Sequence, residues 1–151
     1  MSTLFVNPAQ IPEAKVPKSE AACLTWLRLM RSENVGPITF LQLINRYDTV
    51  AEALAALPDL AARGGRRRFS VCTVERAEAE WEAATRAGAH MLCLGAPDYP
   101  RLLAEIDAPP PLLWARGRRL EAERVIGIVG ARNASAVGTK VATMLASGLA
   151  A

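Results

Sequence analysis

An apolar run that leads directly into a glycine-containing turn and then a helix constrains the fold most. The run is Val125–Val129, the turn contains Gly130 and Arg132, and a helix is predicted to begin near Ser135. Five nearly uninterrupted apolar residues are typical of a strand buried on both faces, as in a parallel sheet. In α/β folds, the turn after such a strand usually lies where anionic ligands bind. The segment therefore predicts an α/β domain with an anion-binding turn.

The glycine spacing in this turn excludes two common nucleotide-binding motifs. The dinucleotide fingerprint requires G-x-G-x-x-G, whereas Gly130 and Gly138 lie eight residues apart. A Walker A loop requires G-K-[ST], but Gly138 is followed by Thr139 and Lys140 in the opposite order. Two interpretations remain, a surface arginine in an ordinary strand-to-helix turn or a phosphate-binding turn, and the position favours the second. Its predicted binding residues are Gly130, Ala131, Arg132, Asn133 and Ser135.

Each predicted binding residue has a chemical reason. Gly130 lets a ligand approach the backbone closely, and the amides from Ala131 onward are free to point outward. The Arg132 guanidinium can form two parallel hydrogen bonds to a phosphate. Asn133 and Ser135 offer either helix capping or further phosphate contacts.

Helical patterns dominate residues 19–88 and predict one small domain of four or five helices. Pro37 suits the first turn of the second helix, and Asp48 or Thr49 can cap the third. Pro58 is predicted to end that third helix, and Thr73 to cap the last. The first helix has four apolar residues on one face, namely Cys23, Trp26, Leu27 and Met30.

The segments on either side of the helical region differ from it. Residues 1–18 contain three prolines and predict a flexible tail. Residues 89–151 alternate strand and helix patterns, which predicts the incomplete N-terminal part of an α/β domain. Its strand candidates are His90–Leu94, Leu112–Trp114 and Val125–Val129; a short helix is predicted at Pro100–Ile106, and the last helix is predicted to pack Val137, Val141, Leu145 and Gly148 on the sheet.

The composition limits the classes of function. The net charge of +3 permits nucleic-acid binding without demonstrating it. Three cysteines suit reduced thiols in the cytoplasm, and a single histidine makes a zinc site improbable. No segment approaches the roughly 20 apolar residues of a membrane span. No metal, other cofactor or catalytic residue is predicted.

An ordered series of motifs resembles the DNA-processing protein A family (DprA, also called Smf). The series runs through Asp98–Leu103, Ile106, Pro109-Pro110, Leu112–Gly117 and Val125–Gly138. Family members typically have Tyr-Pro-x-x-Leu, then Pro-Pro-x-x-Leu ending in Gly, then a strand leading into Val-Gly-Ser-Arg. This chain departs from that pattern with Ala131 in place of serine and with Val137 where an aromatic residue is common.

The resemblance implies a fold, a function and partners. The fold is a SAM-like helical domain (residues 19–88), similar to a helix-hairpin-helix domain, followed by the start of an extended Rossmann-like parallel-sheet domain. The function is non-catalytic binding of single-stranded DNA and loading of the recombinase RecA in natural transformation and recombination. A cytoplasmic location and a homodimer of the full-length protein are also implied, and Arg132 matches the motif arginine.

Two alternatives to this function are open. One is a Rossmann-like enzyme acting on a nucleotide, such as a nucleoside-monophosphate phosphoribohydrolase, with the same phosphate-binding turn. The other treats the helical domain as a protein-interaction module.

Two segments of the helical region have more than one interpretation. Asn34–Thr39 resembles a helix-hairpin-helix turn, in which Asn34 replaces a glycine because asparagine tolerates the left-handed conformation. Ile38 stands where a basic residue would help, so a structural turn competes with a DNA contact. Arg63–Arg68 fits either a solvated loop or an auxiliary phosphate contact.

Overall fold

The computed structural model of the chain describes residues 11–65, 69–117 and 126–149. It divides into two compact units, Met1–Gly117 and Arg118–Ala151. None of the helices within the described ranges is long and apolar enough to cross a lipid bilayer. The elements in chain order are a 3₁₀ turn at Glu13–Lys15, α1 (Glu20–Arg31), α2 (Pro37–Arg46), α3 (Val50–Arg63), α4 (Val74–Arg86), β1 (Ala89–Cys93), α5 (Arg101–Ala104), β2 (Leu112–Arg116) and α6 (Ala136–Leu149).

Three of the first four helices begin at a hydroxyl side chain. Ser19, Thr49 and Thr73 each accept a hydrogen bond from the backbone N–H three residues further on. Such caps satisfy amides that have no partner within the helix. The predicted caps at Thr49 and Thr73 are therefore confirmed, and Pro37 occupies the first turn of α2 as predicted.

The prediction that Pro58 ends the third helix is wrong, because α3 continues to Arg63 with Pro58 inside it. Proline removes one backbone hydrogen bond and crowds the preceding turn, which disfavours a helix interior. Packing outweighs this cost, since Leu57 is buried in the core and Leu60 packs against it. Pro58 itself lies on the exposed side of the helix.

The core of the first unit forms where the apolar faces of α1, α2 and α3 meet. Trp26 and Phe40 are buried and pack edge to face, with ring centroids 5.0 Å apart. On the predicted face of α1, Trp26 and Leu27 are buried, while Cys23 and Met30 are half-buried. The four helices between residues 20 and 86 confirm a helical N-terminal domain.

Residues 11–18 pack on this core, which corrects the prediction of a flexible tail for that part of residues 1–18. Val16 is buried, and Ile11 contacts the core cluster. Lys15 Nζ donates to the carbonyls of Ile44 and Tyr47, at 2.7 and 2.8 Å. The ammonium thereby satisfies carbonyls at the C-terminus of α2 that lack helical partners. Residues 1–10 lie outside the described residues.

After the helical domain comes a short α/β segment. Strands β1 and β2 pair antiparallel, with Met91 opposite Trp114 and Cys93 opposite Leu112, and α5 lies between them in sequence. The predicted order of a helical domain followed by the start of an α/β domain is confirmed. The parallel sheet and the domain boundary at residues 88–89 stay predictions.

The described part of the second unit, residues 126–149, consists of an irregular segment and α6. The strand predicted at Val125–Val129 is corrected here, because residues 126–130 form no strand and Val125 lies outside the described residues. A strand requires a hydrogen-bonded neighbour, and no described segment pairs with this one. The residues predicted to pack α6 on a sheet, Val137, Val141, Leu145 and Gly148, are exposed.

Candidate nucleic-acid interface

The turn predicted to bind phosphate leads into α6, and Ser135 caps that helix. Ser135 Oγ accepts a hydrogen bond from the N–H of Gly138 at 3.2 Å. Its carbonyl accepts from the Thr139 N–H at 2.9 Å and from the Thr139 hydroxyl at 3.2 Å. Of the two roles predicted for Ser135, the structure thus shows helix capping. The cap orients the turn relative to the first turn of α6.

Arg132 is exposed in this turn. The residues from Gly130 to Ser135 are all exposed. In the described part of the chain, Arg132 takes part in no ion pair. The backbone amides of residues 130–134 likewise make no hydrogen bond to described backbone. A guanidinium and several amides that have no such partners among the described residues are suited to bind an anion.

Gly130 is not required by the conformation of the turn itself. A Cβ atom placed on Gly130 meets no atom within 4 Å. Its φ is not among the left-handed values, which the described chain has at Asn34, Gly65, Gly88, Gly95 and Gly117. The open space above Gly130 leaves the backbone accessible to a ligand from that side.

The helix-hairpin-helix-like turn connects α1 to α2. Asn34 has φ of +57°, the left-handed conformation predicted for it. Gly36 precedes α2 without a side-chain cap, so the first amides of the helix have no partner within it. Ile38, in the first turn, is 59% exposed. The turn thus has the left-handed residue predicted at Asn34 but no basic side chain at position 38.

The turn between α1 and α2 is attached to residues 70–72, which follow the arginine-rich sequence. Glu33 N–H donates to the carbonyl of Ser70, and the Glu33 carboxylate accepts from the Ser70 N–H, both at 3.0 Å. Ser32 Oγ accepts from the Cys72 N–H at 3.0 Å and donates to the Arg28 carbonyl. These bonds show a structural role for the turn, and an exposed carboxylate beside it opposes a phosphate. A DNA contact by the hairpin stays a prediction.

The arginine-rich segment Arg63–Arg68 is described only in part. Arg63 ends α3 and is exposed. Arg66, Arg67 and Arg68 lie outside the described residues, so their predicted phosphate contact stays a prediction.

One polar cluster was not predicted from the sequence. Glu80 accepts hydrogen bonds from Arg31 Nε and Nη2, the shortest at 2.7 Å, and from Trp114 Nε1 at 2.9 Å. Trp81 packs edge to face on Trp114 with centroids 5.4 Å apart. The Arg31 hydrogen bonds lower the pKa of Glu80, although partial burial opposes this. The cluster joins α1 and α4 to β2.

The local sequence did not distinguish the residues of this cluster. Glu80 stands among four similar glutamates, three of which are exposed in the structure: Glu75, Glu78 and Glu82. Glu80 differs from the other three because it and the adjacent Trp81 both contact Trp114 of β2. Nothing in the local spacing of the glutamates distinguished Glu80, because its partners lie 49 and 34 residues away in sequence.

Two of the ordered motifs contact each other directly. Tyr99 is buried, and its hydroxyl donates to the carbonyl of Pro110 at 2.8 Å. Burial raises the pKa of Tyr99 to about 12, so the hydroxyl remains a donor at neutral pH. The tyrosine therefore links the Tyr-Pro segment to the proline segment that precedes β2.

Both regions of the chain match known protein families. Residues 20–83 match the family described as the DprA-like N-terminal HHH domain. Residues 90–151 match the family described as DNA recombination-mediator protein A. A curated relative, Protein Smf of Synechocystis sp., is 30% identical over 121 residues, which cover 71% of this chain. The chain spans only 30% of the length of that relative.

Proposed function

Because the chain belongs to the DprA/Smf family and corresponds to an N-terminal portion of its members, we propose a role in DNA binding. In this proposal, the chain contributes to the binding of single-stranded DNA by a recombination mediator. The observation that carries the proposal is the exposed turn at residues 130–135, with Arg132 free of described ion-pair partners. The family description of a DNA recombination mediator supports it.

The chemistry of the turn is suited to bind single-stranded DNA without sequence preference. A guanidinium and backbone amides bind phosphate oxygens, which are the same for every base. Residues 130–135 contain no aromatic side chain for base stacking, and Val137, in the first turn of α6, stands where the family commonly has an aromatic residue. Affinity in this turn therefore derives from phosphate contacts and depends on salt.

The remaining parts of the proposal concern the whole protein. The DNA-bound protein passes the strand to RecA in natural transformation and recombination, acts in the cytoplasm as a homodimer, and catalyses no reaction. The family descriptions and the exposed phosphate-suited turn support a mediator. They give no support to the nucleotide-processing alternative.

The test compares two substitutions that each remove one positive charge, at positions eight residues apart. Arg132→Ala removes the guanidinium in the turn, whereas Lys140→Ala removes an exposed ammonium from α6. Binding of the complete protein to fluorescein-labelled oligonucleotides of three unrelated sequences is followed by fluorescence anisotropy. Loss of a charge-assisted contact of about 1.5–3 kcal/mol corresponds to roughly 10- to 150-fold weaker binding for Arg132→Ala.

The two variants distinguish a site from general charge. We expect the Arg132→Ala loss to be similar for all three sequences and Lys140→Ala to bind within about two-fold of the wild type. Equal effects of both substitutions would show that Arg132 acts only through net charge. RecA loading is tested separately, by RecA ATP hydrolysis on single-stranded DNA with and without the mediator.

A further inference from the structure

A small apolar groove lies beside α2 and α3 of the helical domain. Its floor consists of three buried side chains, Val35, Leu43 and Leu57. The half-buried Phe69 also lines it. The volume is about 160 Å³, which is less than the roughly 300–1,000 Å³ of a pocket for a whole small molecule. The groove therefore suits one ring of a larger ligand.

Polar side chains line the groove together with this apolar floor. Asn34 lies in the turn before α2, and Thr39 lies in the first turn of that helix. A side-chain amide and a hydroxyl can each donate and accept hydrogen bonds. An aliphatic side chain of a protein partner cannot use these groups, whereas a nucleobase has an apolar face and hydrogen-bonding edges. The lining therefore favours a nucleobase over an aliphatic side chain.

Hydrogen bonds hold the backbone that carries Phe69. The next residue, Ser70, exchanges two hydrogen bonds with Glu33, both at 3.0 Å, and the Cys72 N–H donates to Ser32 Oγ at 3.0 Å. Phe69 packs against the helical core, and within the described part of the chain it forms no aromatic pair. Because the ring is positioned in advance, stacking a ligand on it costs less entropy.

The sequence beside the groove is strongly basic. Four arginines fall within residues 63–68, between the end of α3 and Phe69. Arg63 is exposed, and the other three lie outside the described residues. Among the residues that line the groove, Glu33 is the one acidic residue, and its carboxylate already accepts hydrogen bonds from the Ser70 N–H and the Asn34 amide. The excess of positive charge attracts the phosphates on either side of a bound base.

We propose that this groove binds one base of single-stranded DNA, which stacks on Phe69 and forms hydrogen bonds with Asn34 or Thr39. The inference rests on the proposed function, because it adds a base contact to a protein that binds the same class of ligand through phosphates. Stacking depends little on the identity of the base. The groove is therefore compatible with binding that has no sequence preference.

The first test separates base contacts from phosphate contacts. Binding of the complete protein and of Phe69→Leu is measured by fluorescence anisotropy on oligothymidylate and on an abasic strand of the same length. Leucine keeps an apolar side chain on the core but removes the ring. We expect Phe69→Leu to bind oligothymidylate about 5-fold or more weakly and the abasic strand within about two-fold of the wild type. Its salt dependence should stay unchanged, because stacking releases no counterions from phosphates.

Tyr47→Leu is the matched control. Tyr47 is another half-buried aromatic residue that packs on the same core and lies beside a basic residue, Arg46, but it does not line the groove. This variant should bind both strands within about two-fold of the wild type.

The second test uses the wild type and does not depend on the folding of a variant. The complete protein is irradiated with a single strand that contains 5-iododeoxyuridine, then digested with trypsin and mapped by mass spectrometry. Trypsin cleaves after Arg68 and Arg76, so the linked nucleotide should be found on the peptide Phe69–Arg76.

Three results would overturn the proposal. Equal weakening of Phe69→Leu on both strands would show that the ring does not contact a base. A wild type that binds DNA without a link to Phe69–Arg76 would assign the groove to another occupant, such as a protein side chain, and would leave the phosphate-binding turn at residues 130–135 unaffected. A wild type that binds no single-stranded DNA would overturn the proposed function as well.

Discussion

Replacing Glu80 with glutamine tests the polar cluster that joins the helices to the sheet. The substitution preserves the size of the side chain and removes its charge. Glu80 accepts from Arg31 Nε at 2.9 Å and Nη2 at 2.7 Å, and from Trp114 Nε1 at 2.9 Å. A glutamine retains one acceptor oxygen but presents an amide NH₂ group where the second carboxylate oxygen accepted. One charged hydrogen-bond pair is therefore lost.

The expected loss of stability follows from the burial of the two side chains and from the type of hydrogen bond that is lost. A hydrogen bond to a charged group contributes about 1.5–3 kcal/mol, and an exposed ion pair about 0–1 kcal/mol. The Arg31 and Glu80 side chains are 33% and 31% exposed, so the energy of their interaction should lie between these two ranges. We therefore expect Glu80→Gln to lower the free energy of unfolding by about 1–2 kcal/mol, measured by urea denaturation at pH 7 with tryptophan fluorescence.

The same cluster predicts a pH dependence. Because the folded pKa of Glu80 is lowered, chiefly by the Arg31 hydrogen bonds, the ionised carboxylate stabilises the fold. This contribution is present above the unfolded pKa of about 4.3 and is lost as the pH falls through the folded pKa. The stability difference between wild type and Glu80→Gln should therefore shrink when the urea titration is repeated below pH 4.

Glu82→Gln is the matched control on the same helix. Glu82 forms an exposed i,i+4 pair with Arg86 at 3.4 Å, which contributes about 0.3–0.5 kcal/mol at most. Equal destabilisation by Glu80→Gln and Glu82→Gln at pH 7, or a Glu80→Gln difference that does not depend on pH, would contradict a stabilising role of the Glu80 charge.

Three further substitutions test other parts of the fold by urea denaturation. Tyr99→Phe should lower the free energy of unfolding by about 1 kcal/mol, because the Pro110 carbonyl loses its donor; no loss would remove the link between the two motifs. Pro58→Ala should raise it by about 1–2 kcal/mol, since alanine restores a helical N–H but increases the entropy of the unfolded chain; a decrease would contradict the packing argument for α3. Lys15→Met should lower it by about 1 kcal/mol through two lost bonds to the end of α2, and an unchanged value would show that residues 11–18 add no stability.

The sequence predicted those features that depend on neighbouring residues. The caps at Thr49 and Thr73 and the left-handed Asn34 all follow from local backbone chemistry. Local rules failed where packing opposed them. Pro58 lies inside a helix because the core holds Leu57 and Leu60. Residues 11–18 pack because Ile11 contacts the core cluster and Lys15 donates to carbonyls at the end of α2.

Long-range pairing accounts for the other differences. The strand predicted at Val125–Val129 depends on neighbouring strands, and no described segment supplies one. The partners of Glu80 are also distant in sequence, so a row of similar glutamates could not identify it. In the candidate site, the sequence predicted the exposed polar turn, and the structure adds that Ser135 serves as the cap of α6.

The salt dependence of single-stranded DNA binding tests whether the turn at residues 130–135 binds phosphate. Each phosphate contact on a single strand contributes about −0.7 to the slope of log K against log salt concentration. In the complete protein, we expect Arg132→Ala to bind more weakly, with a slope smaller in magnitude by about 0.7, and Lys140→Ala to retain the wild-type slope. An Arg132→Ala slope and affinity equal to those of the wild type would contradict the assignment of the residue 130–135 turn as a phosphate-binding site.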